Sequence, residues 1–297
     1  MSVSIDLSTI TDTSEDTSER YQWQETGLSL EQDSTTVIYG RTREIHLLLK
    51  AYQQVIQVHR AQIVIVHGES GAGKTALVDQ LREPVCNNRG YFVAGKYFQN
   101  SEIQEPHSAI MAAFSDLCDL VVQSDDFDEQ RRREIQEALG SDGQILRKSI
   151  TNLSPFLVSS PDGCEDVDVL NEASFANFKV ACKTFLHAMS SAKHPIVVFI
   201  DDIQWMDEGS RLLVELFLQD KELENVLLIL AYRDEEAAKV GTLFEQGSCK
   251  PDLTEIRMMN LEASAVHQIV ISVMGETSDQ IRELSNLVAK RTLGNPL

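Results

Sequence analysis

Two periods alternate along this chain. Ile45, Leu48, Leu49, Tyr52 and Ile56 recur at helical spacing and predict an amphipathic helix over about 42–59. Short β-branched runs that are apolar on both faces predict buried parallel strands at Gln62–His67, Tyr91–Ala94, Ile196–Ile200, Val226–Ala231 and Thr254–Met258. Between the second and third strands, residues 97–194 read as a mostly helical insertion, with helices at 107–123, 128–140, 142–150 and 171–192. A Ser-Ser-Pro-Asp-Gly run from Ser159 interrupts them and predicts a mobile loop. A helix at 209–219 separates the third and fourth strands. Helices at 262–274 and 277–292 close the chain, the last packing on the sheet domain. Strands alternating with helices predict an α/β three-layer fold around a parallel five-stranded sheet with right-handed crossovers.

The pattern fails before residue 37. Residues 1–36 are rich in Ser and Thr, carry eight acids and one base, and offer too little apolar surface to offset ordering entropy. They read as a disordered acidic tail, leaving 37–260 as the core domain and 261–297 as the start of a C-terminal helical region. The tail accounts for −7 of the net charge of −20, and the remainder is still strongly acidic. A nucleic-acid binder needs a basic footprint to release phosphate counterions, and none is present. The one tight basic cluster, Arg131–Arg133, reads as a solvated helix face. Five cysteines lie far apart with no C-x-x-C pair, which argues against a disulfide framework and a structural zinc site. No apolar run approaches the ~20 residues of a membrane span, and the polar N-terminus lacks a signal-peptide core. A reducing, cytoplasmic setting follows.

The chemistry starts where the first strand ends. Gly68-Glu69-Ser70-Gly71-Ala72-Gly73-Lys74-Thr75 fits G-x-x-x-x-G-K-[ST] between a strand and a helical stretch, with Ala76 directly behind it. Glycines let backbone N–H groups turn inward around phosphates without side-chain clashes. The helix that begins near Lys74 aims its positive end at the same anion. Lys74, projecting into a solvated cleft, is expected to reach the β- and γ-phosphates, and the Thr75 hydroxyl to ligate Mg²⁺.

The third strand delivers Asp201 and Asp202 to the sheet edge where ligands of open α/β sheets bind. Asp201 is expected to hold Mg²⁺ through a water, opposite Thr75. Asp202 is placed to orient or deprotonate an attacking water. Asp207 is positioned to cap the next helix, and Trp205 reads as packing beneath the site. The fourth strand ends in a cation, Arg233, which either touches a γ-phosphate or pairs with Asp234 or Glu235.

Taken in order, these motifs resemble the STAND class of AAA-type ATPases. The match runs through Val37-Ile-Tyr-Gly40-Arg41-Thr-Arg43-Glu44, Gly68–Thr75, Gly95-Lys-Tyr-Phe-Gln, Phe199-Ile-Asp201-Asp-Ile-Gln-Trp205-Met-Asp207, Ala231-Tyr-Arg233 and Gly294-Asn-Pro296. The resemblance implies that Ile38, Gly40 and Arg41 line the adenine end. It makes Arg233 a sensor arginine on the strand between the P-loop strand and the Asp201 strand. Pro296 would then begin a segment that approaches the nucleotide and leads into a lid beyond Leu297. It further implies an ATP/ADP switch with slow hydrolysis, coupled to nucleotide-dependent homo-oligomerisation and to kinase, cyclase or regulator effector domains. No Asn-Lys-x-Asp guanine reader occurs, which favours ATP over GTP. Two rivals stand beside this reading: an origin-recognition-like AAA ATPase acting on DNA, and a non-hydrolysing ATP-binding scaffold.

Overall fold

Five apolar runs become five strands in one parallel sheet: β1 (Gln62–Gly68), β2 (Tyr91–Lys96), β3 (Ile196–Asp201), β4 (Val226–Arg233) and β5 (Leu253–Met258). The computed structural model describes residues 38–99, 107–157, 172–245, 253–275 and 277–296. The acidic tail and the loop expected from Ser159 lie outside the described residues. Strand order is β2-β3-β4-β1-β5, and every neighbouring pair is parallel.

Side chains alternate across the pleat, so each strand feeds two cores. Val64, Val66, Val197, Phe199, Leu227 and Ile229 point to one face. They pack there against Leu48, Tyr52 and Val55 of α1 (Thr42–Val58) and Leu77 and Val85 of α2 (Lys74–Asp79) and α3 (Arg82–Asn87). Ile196, Val198, Ile200, Leu228 and Leu230 point to the other face. That face is covered by α4 (Ser108–Gln123), α7 (Glu172–Met189), α8 (Glu208–Gln219) and α9 (Ala237–Glu245). The short α5 (Glu129–Leu139) and α6 (Asp142–Leu146) pack against α7 from outside. Helix, sheet and helix make three layers around a sheet too apolar to face water on either side. Among the described residues no helix is long and apolar enough to cross a membrane.

Several local expectations change. β2, β3 and β4 each run past their last apolar residue to Lys96, Asp201 and Arg233, because a parallel ladder needs only backbone groups. α6 stops at Leu146, not 150, and α9 forms in a stretch for which no helix is expected. α9 is anchored by Val240 and Leu243, too few apolar positions to declare a helix by periodicity. The Arg131–Arg133 triplet is not a uniformly solvated face. Arg131 donates to the Met189 carbonyl at the end of α7 (2.9 Å) and Arg132 to the Pro155 carbonyl (3.1 Å), while Arg133, 69% exposed, lies 3.4 Å from Glu129. A guanidinium has donors to spare for carbonyls that a helix end leaves unpaired.

The closing helices also depart from expectation. α11 (Asp279–Thr292) packs chiefly on α10 (Ala263–Met274). Leu261, Ala265, Val266, Val288, Ala289 and Tyr39 form their small separate core. Gly40 meets this unit so closely that a Cβ would lie 2.5 Å from the Ala265 Cβ. After α11, Gly294 adopts φ +83° and its carbonyl accepts from the Leu261 N–H (2.8 Å).

Asp207 joins two helices at their N-termini. Its Oδ1 accepts from the Ser210 N–H (2.9 Å), capping α8, and its Oδ2 accepts from the His107 N–H (3.1 Å) at the start of α4. Loss of an N-cap carboxylate costs about 1–2 kcal/mol. Asp207→Ala should therefore lose at least that much stability in urea unfolding, and Asp207→Asn should retain most of it. Equal stability of the alanine variant and the parent would remove this linkage.

Candidate nucleotide-binding site

Immediately beyond β1 the backbone takes conformations that select glycine. Gly68 passes so close to β5 that a Cβ would lie 2.6 Å from the Met258 carbonyl oxygen. Gly73 sits in the left-handed region at φ +90°, with open space where a side chain would point. α2 begins at Lys74 with no side-chain cap, which leaves the N–H groups of its first turn without a helical partner. That backbone fits an anionic ligand.

Lys74 does not project into a solvated cleft. It is 7% exposed, and its Nζ donates to the carbonyls of Gly68 and Glu69, both at 2.9 Å. Burial lowers its pKa, opposed by the nearby carboxylates of Asp201 and Asp202. The contacts form because helix α2 carries the side chain back along the loop it follows. Thr75 lies one residue on, and its hydroxyl donates to Asp201 Oδ2 at 2.9 Å. Glu69 and Ser70 are exposed, Gly71 and Ala76 half-buried, and Ala72 buried.

Asp201 and Asp202 are 4% and 3% exposed. Two adjacent buried carboxylates repel one another and need cations. The register of β2 against β3 places Lys96 opposite Asp201. Its Nζ bridges the pair, 2.8 Å from Asp201 Oδ2 and 2.9 Å from Asp202 Oδ2. From β4, the Arg233 Nε donates to Asp202 Oδ1 at 3.1 Å, and Gln204 Nε2 reaches the same oxygen at 2.9 Å. Burial raises the Asp202 pKa, but the hydrogen bonds from Lys96, Gln204 and Arg233 outweigh it and hold the carboxyl ionised below its usual range. Burial lowers the Lys96 pKa, and its bonds to both acids more than reverse that. Asp202 adopts φ +55°, a left-handed conformation that turns the chain into the short 3₁₀ turn Ile203–Trp205. The Arg233 guanidinium lies 4.5 Å over the Trp205 ring. Arg233 thus pairs with neither Asp234 nor Glu235; the strand order β3-β4-β1 turns it toward Asp202.

The flanks converge on the loop as well. Arg41, 4% exposed, donates to the Ala72 carbonyl at 3.1 Å and lies 3.7 Å from Glu44. Ile38 is half-buried, and Gly40 is spent on its approach to α10. Pro296 is exposed; the residue that reaches the loop is Asn295, whose Nδ2 donates to the Ser70 carbonyl at 2.9 Å. The Ser70 N–H is held from the other side by Glu235 Oε1 at 3.1 Å. Sequence reasoning missed Lys96, Gln204, Glu235 and Asn295 as site residues. Lys96 alone carried a signal, a cation closing an apolar strand as Arg233 closes β4.

A family model for the AAA ATPase domain matches residues 37–229. The chain is 27% identical over 183 residues to hybrid signal transduction histidine kinase G of Dictyostelium discoideum, spanning 61% of this chain and 5% of that protein. Among solved structures it is similar to a Signal Transduction ATPase with Numerous Domains (STAND) protein with a tetratricopeptide repeat sensor from Pyrococcus horikoshii. That similarity has 13% identity and a TM-score of 0.40, over 88% of this chain and 29% of that one. It is also similar to the Aeropyrum pernix ORC1 protein in complex with DNA, at 13% identity and a TM-score of 0.44, over 86% of this chain and 56% of that one. The family match covers more than half of the sequence and takes in both the glycine-rich loop and the acidic end of β3, and on that evidence the chain belongs to the AAA ATPase domain family.

Proposed function

We propose that this domain is an ATP-binding regulatory switch of the STAND type, with slow Mg²⁺-dependent hydrolysis, acting in the cytoplasm on signalling domains of a larger protein. One observation carries the reading. Thr75 of the loop and Asp201 of β3 share a 2.9 Å hydrogen bond, within a cluster that also holds Asp202 and Arg233. A hydroxyl and a carboxylate brought together beside a phosphate cradle are the two protein groups a Mg²⁺–triphosphate complex requires.

In this reading the loop N–H groups and Lys74 bind the β- and γ-phosphates, and Lys74 exchanges its two loop carbonyls for phosphate oxygens. Thr75 and Asp201 would hold Mg²⁺, which neutralises charge on the phosphates when bound. Asp202 accepts the proton of an attacking water. In the arrangement described here three of its roughly four acceptor sites are turned toward Lys96, Gln204 and Arg233. A carboxylate so engaged is a poor base until a donor leaves it, and this supports slow turnover. Arg233 is the donor with an alternative partner, a γ-phosphate, so nucleotide state and the freedom of Asp202 are coupled. The relative that is a hybrid histidine kinase supports placing this switch beside a signalling effector.

The test separates binding from chemistry. Lys74→Ala should weaken ATP binding at least tenfold, about 1.4 kcal/mol, by calorimetry. Asp202→Asn should keep MgATP bound while phosphate release falls at least tenfold. Unchanged ATP affinity in the Lys74 variant would sink the site.

Lys96 gives a second, electrostatic test. Lys96→Met leaves Asp201 and Asp202 facing each other without their shared cation, so its destabilisation should be largest near neutral pH. As pH falls through the carboxylate range, protonation relieves the repulsion and the gap to the parent should narrow. Urea unfolding across that range measures it; a gap that widens toward acid contradicts the pairing.

A further inference from the structure

Arg233 is held by two side chains of one short turn. Asp202 precedes and Trp205 ends the 3₁₀ turn Ile203–Trp205, and the Trp205 N–H donates to the Asp202 carbonyl at 3.1 Å. Side chains three residues apart in such a turn project from the same side, and both meet Arg233 of β4. Asp202 Oδ1 accepts from its Nε at 3.1 Å, and the guanidinium carbon lies 4.5 Å over the Trp205 ring. The turn thus grips the guanidinium by an edge and by a face.

Two observations mark this grip as more than packing. Among the described residues the terminal nitrogens of Arg233, Nη1 and Nη2, have no hydrogen-bond partner, and the side chain is 31% exposed. Arg233 pairs with Gly68 in the β4–β1 register, so the arginine with this unspent edge neighbours the first glycine of the loop. The Trp205 Nε1, in turn, is buried with no hydrogen-bond partner among the described residues. A buried N–H left unpaired lowers stability, and a phenylalanine would fill the turn without that loss. The compensating property of tryptophan is its ring face, the best cation–π surface among the aromatic side chains.

We propose that Trp205 is a positioning residue that sets the preference of the site for a nucleoside triphosphate over a diphosphate, by holding the Arg233 guanidinium where its terminal nitrogens meet a γ-phosphate. The role rests on the nucleotide-site reading above. A hydrogen bond to Asp202 is directional and breaks when the guanidinium turns. Attraction to a ring face requires only that the cation stay within about 6 Å of the centroid. The indole therefore keeps Arg233 over the turn while its nitrogens exchange Asp202 for phosphate. The arginine reaches the γ-phosphate without first being released to water. Without the ring, the guanidinium has Asp202 alone, and turning away from that carboxylate forfeits its one remaining partner. A diphosphate presents nothing at that position, so triphosphate affinity depends on the ring more than diphosphate affinity does.

Calorimetry on the full chain with Mg²⁺, comparing ADP with a non-hydrolysable ATP analogue, reads the preference. Trp205→Leu should weaken the analogue about three- to tenfold more than it weakens ADP. In an Arg233→Ala background, where the preference is already lost, it should add nothing further. Trp205→Phe should keep part of the preference, and its urea midpoint should match or exceed the parent's, because the unpaired N–H is gone. Fluorescence leaves the ring intact and decides the matter if the leucine variant does not fold. With Trp23→Phe, Trp205 is the sole tryptophan, and its emission should change more with the analogue than with ADP. If both ring variants keep the parent's preference or weaken both nucleotides alike, or if the emission responds equally to both, the role of Trp205 is overturned and the nucleotide site stands. If the parent binds neither nucleotide, the nucleotide reading falls and the role of Trp205 falls with it.

Discussion

Two neighbouring carboxylates buried at the end of a central strand are the constraint that the rest of this site answers. Asp201 and Asp202 leave water almost completely, and charges that close in a medium of reduced dielectric cannot both remain ionised without compensation. Compensation comes from three elements, two of them distant in sequence. β2 supplies Lys96, β4 supplies Arg233, and the turn after β3 supplies Gln204. The two cations arrive because the parallel sheet stacks the carboxyl ends of its strands side by side. The same alignment puts Gly68 opposite Arg233 and Lys96 opposite Asp201. Sheet register is thus an electrostatic device as well as a packing one.

The glycine-rich loop is held in a comparable way, from outside its own sequence. Arg41 takes the Ala72 carbonyl, Asn295 takes the Ser70 carbonyl, and Glu235 takes the Ser70 N–H. These residues come from the segment before α1, the turn after α11 and the turn after β4. A loop whose glycines make it conformationally permissive gains order from such ties, and each is a point where a neighbouring element can act on it. The α10–α11 pair shares its small core with Tyr39 and reaches the loop through Asn295.

Burial changes what the charged side chains can do. Lys74 is expected from its motif to stand in solvent, yet it folds back onto its own loop, because a desolvated ammonium requires acceptors and the Gly68 and Glu69 carbonyls are the nearest. Arg233 similarly lies between the Trp205 ring and Asp202. Both cations are engaged within the protein, and a phosphate must compete with those partners.

The sequence by itself determined the parts of this protein that depend on local pattern. β-branched runs located all five strands, and amphipathic spacing located the long helices. G-x-x-x-x-G-K-T located the glycine-rich loop, and the acidic pair after Ile200 located the buried carboxylates that face it. Those features depend on neighbours along the chain, and the chain order is printed in the sequence. Tertiary structure decided which side chains meet across the sheet edge. Lys96 closes a strand and looked like any solvent cation until register set it against Asp201. Glu235 and Asn295 sit in turns without periodicity, and they find Ser70 across 165 and 225 residues of sequence. His67 read as one more strand residue until Asp234 and Glu255 came to its two nitrogens. Parallel strands are paired through long crossovers, so their register depends on the packing of whole helices, and no local spacing records it.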